Sequence, residues 1–227
     1  MSTGKIILLV VGILVLLLTV GLFFAGSALV WVSSSQTDSD GFFNTSSIVL
    51  ERDSYALVAP SINIDVETMG LWEWSDFFTL KIEGSSNDGD GGIFLGVARE
   101  TDIDSYLSGV EYDEISTLTI HHDDAAPYNI EFTRKPGNST PADPATQTFW
   151  IVSAHGAGTQ SLEWSPEAAG TYGIVLMNED ASRGVDLSVV VGAKVPLVFA
   201  VGVGLLGGGV VGLAIGVVMI YLAVRRP

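Results

Sequence analysis

Two long runs without a formal charge, one near each end of the chain, limit what this sequence can fold into. The first covers Ile6–Val32 and the second covers Val195–Val224, 27 and 30 residues respectively. An α-helix crosses the hydrocarbon core of a membrane with about 20 apolar residues, so each run is long enough to span it. We therefore predict two transmembrane helices, 6–32 and 195–224, a domain over 33–194, and short tails over 1–5 and 225–227.

A cleaved signal peptide is the alternative interpretation of the first run. Lys5 precedes this run, and the small residues of AGSA (25–28) are typical of a cleavage site. However, the apolar part of a signal peptide is only about 7–15 residues long. The length of the run therefore favours a retained helix.

Flanking cations predict the orientation of the two helices. Lys5 precedes the first run, and Arg225 and Arg226 follow the second. Lys and Arg are enriched on the cytoplasmic side of membrane helices, which predicts that both termini are cytoplasmic and that the domain 33–194 is extracytoplasmic. The chain contains no cysteine, so this domain is stabilised without disulfides.

The predicted outer domain is strongly acidic. It contains all 26 acidic residues and seven of the ten basic residues, a net charge of −19. Such a surface repels phosphate, which argues against a nucleic-acid partner. The carboxylates are dispersed rather than clustered, as in proteins adapted to high salt, where screening weakens self-repulsion.

The second run is rich in glycine, with seven glycines in VGVGLLGGGVVGLAIG (201–216). Small residues at four-residue spacing allow two membrane helices to approach closely. We predict that a helix-packing face is formed by Gly204, Gly208, Gly212 and Gly216, matched on the first helix by Gly21 and Ala25. Packing within the chain is the favoured interpretation; a homodimer and a lipid or substrate cavity are the alternatives. Neither run contains Asp, Glu, Lys, Arg or His, which argues against a transport pathway.

Alternating apolar and polar residues predict a mainly β domain between the two helices. Strands are indicated at 77–83, 115–121, 128–134, 148–154, 171–177 and 185–191, separated by turns rich in Gly, Pro, Asn and Asp. This pattern favours an antiparallel β-sandwich or jelly roll. A short helix is predicted within 101–109, with Thr101 as its N-cap and Gly109 as its stop, covering an end of the sandwich.

Several segments carry a family resemblance: QTDSDGFF, SYALVA, FLGVARETDIDSYLSGVEYDEI, TFWIVSAHGAGTQSLEW and IVLMNEDASRGVDLSVVVGA. With the layout of two helices, they resemble a family of uncharacterised prokaryotic two-pass membrane proteins. The resemblance implies short cytoplasmic tails around an external β-rich domain. It implies no activity, and the strong acidity of this chain departs from what that architecture requires.

Candidate metal ligands occur in HHDD (121–124) and in the acidic turns TDSDG (37–41) and NDGDGG (87–92). Consecutive residues of a strand point to opposite faces, so His121 and His122 are not expected to share one ion. The acidic turns lack the EF-hand spacing, because position 12 of the loop aligned on Gly41 is a serine. We interpret these segments as solvated turns and predict no bound metal or cofactor, with adventitious calcium as the alternative.

Candidate catalytic and binding residues are also few. His155 could serve a hydrolase, but the sequence contains no G-x-S-x-G, HExxH or cysteine nucleophile. Trp72 and Trp74 of LWEWS fall on one strand face, which fits either a core position or a stacking platform for a glycan. Asn44 and Asn138 begin N-glycosylation sequons.

These observations predict a non-catalytic module of the cell envelope that holds a binding or structural domain at the cell surface. Its expected partners are membrane lipid, a transmembrane helix of the same chain or of a second copy, and a protein or glycan ligand. An accessory or sensor subunit packed through the glycine-rich helix is the first alternative, and a surface hydrolase is the second.

Overall fold

A computed structural model describes residues 3–64, 78–89, 91–120 and 128–225. The chain divides into two compact units. One consists of Met1–Phe43 with Val195–Pro227, and the other is Asn44–Lys194. A β-rich middle between two apolar terminal helices, as predicted from the sequence, is confirmed.

The helices and strands follow one another along the chain with α2 as an interruption among the strands. The helices are α1 (Thr3–Ser35), α2 (Glu100–Tyr106) and α3 (Pro196–Val224). The strands are β1 (Phe43–Asn44), β2 (Ile48–Arg52), β3 (Ala56–Ile64), β4 (Thr79–Ser86), β5 (Ile93–Arg99), β6 (Tyr112–Ile120), β7 (Tyr128–Lys135), β8 (Val152–Gly156), β9 (Gln160–Trp164), β10 (Gly170–Asn178) and β11 (Val185–Lys194).

The first unit is a pair of antiparallel helices. Both α1 and α3 are long and apolar enough to cross a membrane. Residues near the start of α1 lie beside the end of α3, and residues near the end of α1 lie beside its start, as Lys5 with Arg225 and Val30 with Gly202 show. Proline at position 196 suits the first turn of α3, where its missing N–H costs no hydrogen bond.

The second unit contains two sheets. Sheet A has the strand order β1-β11-β4-β9, with β2 also paired to β11, and sheet B has the order β7-β6-β3-β10-β5-β8. The pair β3–β6 is parallel. Antiparallel pairing joins β2 and β4 to β11, β9 to β4, β3 and β5 to β10, β8 to β5, and β7 to β6.

Both sheets contribute to one hydrophobic core. Sheet A supplies alternating residues such as Leu187 and Val189 of β11, whose neighbours along the strand are partly exposed. Strands β5 and β10 of sheet B differ, because both of their faces are buried. Their inner face joins the shared core, and their outer face contributes to a second cluster that includes α2. Continuous apolar runs, without alternation, are typical of strands covered on both faces.

Two sequence predictions about α2 are wrong. The helix starts at Glu100, and Arg99 occupies the N-cap position without a side-chain hydrogen bond, so the predicted Thr101 cap is wrong. The helix packs on β5 and β10, where Ile103 and Leu107 are buried, and thus covers a face of sheet B rather than an end of the domain. Gly109 follows the helix with φ 75°, a conformation that suits glycine.

The segment 148–154, predicted as one strand, divides into two parts. Only Val152 onwards belongs to β8, whereas Phe149 and Trp150 pack in the outer cluster with Phe94 and Tyr106. The ring centroids of Trp150 and Phe94 are 5.0 Å apart, and the Trp150 indole donates a hydrogen bond to the carbonyl of Pro144 at 2.9 Å. Burial raises the pKa of Tyr106 in this cluster to about 12.

Candidate functional site

The contact between α1 and α3 is made by small residues that repeat every seven positions. In α1 the buried residues are Gly12, Thr19 and Gly26. In α3 they are Gly202, Gly209, Gly216 and Ala223. Seven residues make about two helical turns, so each set forms a single stripe along its helix. The two stripes bring the backbones together: a Cβ at Gly26 would lie 2.8 Å from the Gly202 oxygen and the Leu206 nitrogen.

The four glycines predicted to form the packing face lie on two different faces of α3. Gly212 and Gly216 face α1, where added Cβ atoms would meet Thr19 and Leu16. Gly204 and Gly208 have no atom within 4 Å of such a Cβ, and neither does Gly21 of α1, outside each helix's own nearby backbone. Each four-residue step turns a helix about 40° beyond one revolution, so this set winds around α3 by about 120°. A seven-residue step falls short of two turns by only about 20°, which keeps the other set against α1.

Polar groups of the helix pair are satisfied locally. The Thr19 hydroxyl, buried against α3, donates to the carbonyls of Val15 and Leu16 at 2.9 and 3.1 Å. At the end of the pair that carries both chain termini, the Lys5 ammonium donates to the carbonyl of Arg225 at 2.9 Å. A cation at this position also suits the negative end of the α3 dipole.

A charged network in the β domain is centred on Asp113, whose side chain is fully buried. Its Oδ1 accepts from Arg134 Nε at 3.0 Å, and its Oδ2 accepts from Arg134 Nη2 at 2.8 Å and Arg52 Nε at 3.0 Å. The hydrogen bonds from Arg134 hold the pKa of Asp113 well below its usual range, and the hydrogen bond from Arg52 adds to this. Together they outweigh burial, which acts in the opposite direction.

This network extends through a second carboxylate to the turn before β11. Glu111 lies 3.5 Å from Arg134 and 2.6 Å from Arg183, and Arg183 also pairs with Asp53 at 2.7 Å. Arg52 belongs to β2 in sheet A, whereas Asp113 and Arg134 belong to β6 and β7 in sheet B. The network therefore joins the two sheets. Because each of its charged side chains is paired with an opposite charge, we assign the network a structural role.

His155 lies beside a carboxylate at the opposite edge of sheet B. Its Nδ1 is 2.9 Å from Glu179 Oε1, and its ring stacks on Phe94 with centroids 6.4 Å apart. Glu179 also lines an open pocket of about 440 Å³ with Asp88, Asp143 and Asp180. No serine hydroxyl hydrogen bonds to His155 in the described part of the chain, and there no three His, Asp or Glu side chains converge as metal ligands.

A second open groove, of about 460 Å³, lies near the end of β9. Arg99, Glu163 and Glu167 line it, and the largely buried rings of Trp164 and Tyr172 lie beneath. The Arg99 guanidinium is 5.5 Å from the centroid of Tyr172. Ser165 also lines the groove, and its hydroxyl lies 2.9 Å from the hydroxyl of Thr79.

A third candidate site is the seam between β2, an edge strand of sheet A, and β7, an edge strand of sheet B. Two contacts cross it: the Tyr128 hydroxyl donates to the carbonyl of Ser46 at 2.9 Å, and the Arg52 guanidinium lies 4.6 Å from the centroid of Phe132. A groove of about 430 Å³ follows the seam. Ile48 and Ile130 line this groove and also line a void of about 90 Å³ that reaches residues of both sheets.

Several predicted candidates fall on other parts of the chain. HHDD (121–124) and LWEWS (71–75) lie outside the described residues. The acidic turn at 37–41 is an Asx turn, in which Asp38 Oδ1 accepts from the backbone N–H groups of Asp40 and Phe42. The sequon residues Asn44 and Asn138 are both exposed.

No protein-family model matches the chain, and no curated protein matches it significantly. The resemblance to two-pass membrane proteins thus stays a prediction from the quoted segments. The sequence predicted close packing of the two helices, and Gly212 and Gly216 lie in the contact, but two features were not predicted: the seven-residue stripe that makes the contact, and the seam between β2 and β7. A seven-residue repeat of small residues would have indicated the first, whereas the seam depends on which strands become the sheet edges.

Proposed function

We propose that the chain is a two-pass membrane protein in which α1 and α3 anchor an extracytoplasmic β-sandwich with a non-catalytic binding role. Lys5, Arg225 and Arg226 support a cytoplasmic location for both termini, because Lys and Arg are enriched on that side of membrane helices. The β domain would then be held at the cell surface by both of its ends.

The observation that carries this proposal is the distribution of side chains on the helix pair. Small residues face inward, and large apolar residues are exposed over the rest of both helices. Leu14, Leu17, Leu18 and Phe24 of α1 are each at least 60% exposed, and Val210, Val211, Val217 and Leu222 of α3 are each at least 50% exposed. Such a surface is unfavourable in water and favourable in lipid.

Membrane fractionation with protease treatment tests this arrangement. We expect the chain to remain in the membrane pellet after alkaline carbonate washing, because both helices span the bilayer. Protease added to intact cells or spheroplasts should degrade the β domain while leaving tags at the two termini protected. Release of the untreated chain by carbonate, or cleavage of the terminal tags in intact cells, would contradict the proposal.

An accessory subunit of a membrane complex is the second candidate. Gly204 and Gly208 leave part of α3 open to close approach by another helix, because α1 does not cover them. Cross-linking in native membranes separates the two cases: one recurring heterologous partner supports the subunit, whereas monomers or homodimers support a standalone module.

A surface hydrolase is the third candidate. It is supported by the 2.9 Å contact between His155 and Glu179, which resembles the orienting half of a catalytic triad. The side chains are 45% and 38% exposed, and a nucleophile is not placed beside them among the described residues. The binding role therefore accounts better for this edge of the domain.

A further inference from the structure

We propose that the seam between β2 and β7 binds a single alkyl chain, whose end enters the void bounded by both sheets. This inference deepens the binding role proposed above by naming the class of ligand. It rests on the lining, the dimensions and the mouth of the site.

The lining of the void contains only aliphatic side chains. The residues come from sheet A (Ile48, Leu50, Ile82, Val189, Val191) and from sheet B (Ala59, Ile115, Ile130, Ile174, Leu176). Hydrocarbon is therefore the matching ligand chemistry, because a polar group in this space would lose its hydrogen bonds to water without replacement. An apolar cavity of this kind stays dry and accepts apolar guests.

The dimensions of the void favour a chain over a ring. Its volume of about 90 Å³ is smaller than the ~150 Å³ of an apolar cavity known to bind benzene. Water occupies roughly 30 Å³ per molecule in the liquid, so on that scale the space holds about three carbon atoms of a chain end. The rest of the chain would lie in the adjoining groove of about 430 Å³.

The mouth of the site lies between the two contacts that cross the seam. Tyr128 and Phe132 are four residues apart on β7, a distance of about 13 Å along a strand. Between them, Ile130 of β7 and Ile48 of β2 form the wall shared by the groove and the void. The alkyl chain would pass between these two side chains to reach the void. Glu51 and Arg52 line the groove and give it a polar margin for the head of an amphiphile.

Photolabelling of the full chain in lipid nanodiscs tests this proposal. The probes are a fatty acid with a diazirine near the end of its alkyl chain and, in a separate arm, a phosphatidylglycerol carrying the same group on one acyl chain. We expect labelled peptides to contain residues 48–50, 130 or 174, in addition to lipid-exposed residues of α1 and α3. Labelling of the void in the first arm alone identifies a free fatty acid, and labelling in the second identifies a membrane lipid.

Two substitutions provide a matched comparison. Ala59 lines the void, whereas Ala154 packs against the same core without lining it. Ala59→Leu should reduce labelling of the void at least fivefold by filling it, and Ala154→Leu should leave labelling unchanged. Labelling of α1 and α3 serves as the internal reference in both variants.

If Ala59→Leu does not fold, competition for the wild-type chain tests the proposal without any substitution. Excess dodecanoate should suppress labelling of the void, whereas 1-adamantanecarboxylate, with its wide cage, should not. Labels confined to α1 and α3 in both arms would overturn the proposal, as would equal competition by the two acids. Either result leaves membrane anchoring untouched, because fractionation tests that separately.

Discussion

We expect Gly26→Val to separate α1 from α3 and Gly21→Val to leave the helices paired. A Cβ at Gly26 would lie 2.8 Å from backbone atoms of α3, which cannot rotate away as a side chain could. At Gly21 nothing beyond the helix's own nearby backbone lies within 4 Å of the added atom. Overpacking of a close contact costs about 1–3 kcal/mol, which corresponds to about a 5- to 150-fold change in the pairing equilibrium.

Disulfide formation measures this effect directly, because the natural chain has no cysteine. A Cβ at position 209 would lie 3.3 Å from the Cβ of Phe23, slightly below the usual disulfide range of about 3.5–4.5 Å. Both variants are compared in a chain with Phe23→Cys and Gly209→Cys, so any shift that the new Cβ at position 209 requires is common to the two. Adding Gly26→Val should slow oxidation at least fivefold, and adding Gly21→Val should not. Equal rates in the two variants would show that α1 and α3 do not pack through the seven-residue stripe.

Asp113→Asn should destabilise the β domain by about 2 kcal/mol near pH 7. The substitution leaves the charges of Arg52 and Arg134 without their buried partner, and breaking a fully buried pair typically costs about 3–5 kcal/mol. We expect less here because the two arginine side chains are 33% and 41% exposed and regain water. Asp53→Asn is the matched control: it also removes an aspartate from the network, but that side chain is 78% exposed. We expect little change from it.

The difference in unfolding free energy between wild type and Asp113→Asn should decrease as the pH falls. Because Arg134 and Arg52 lower the pKa of Asp113 in the folded chain, its carboxylate stabilises the fold at every pH above the ordinary value of about 3.9. This contribution is lost as the pH falls below that value toward the lower pKa of the folded state. Urea unfolding followed by tryptophan fluorescence should give a constant difference between wild type and Asp113→Asn from pH 7 to pH 5. The difference should shrink below pH 4, and a difference independent of pH down to pH 2 would contradict this role.

Alternation predicted several strands that expose one face, although β2 and β9, which also alternate, were missed. Strand β10 is buried on both faces and was predicted from its β-branched and aromatic residues. The alternation in YNIEFTR predicted 128–134, and β7 covers Tyr128–Lys135. The same rule passed over β5, because Ile93–Arg99 is buried on both faces and its sequence does not alternate. Phe149 and Trp150 were assigned to a strand for their type, although they belong to the layer that covers sheet B.

The contact between α1 and α3 could be predicted only in part from the sequence. The concentration of glycine predicted close packing by α3, but the four-residue motif does not by itself determine which face is used. Gly202 and Gly209 entered the contact because their spacing matches that of Gly12, Thr19 and Gly26 on the antiparallel partner helix. The role of Asp113 could not be predicted either, since it depends on arginines 61 and 21 residues away in the sequence.

The sidedness of the chain in the membrane is the most direct test of the whole account. Single cysteines at exposed Thr3 and Thr159, introduced into the cysteine-free chain, can be treated with a membrane-impermeant maleimide. We predict that Thr159→Cys is labelled in intact cells, and that Thr3→Cys is labelled only after the membrane is permeabilised. Labelling of Thr3→Cys in intact cells while Thr159→Cys is protected, or recovery of the chain in the soluble fraction, would contradict a membrane-anchored outer domain.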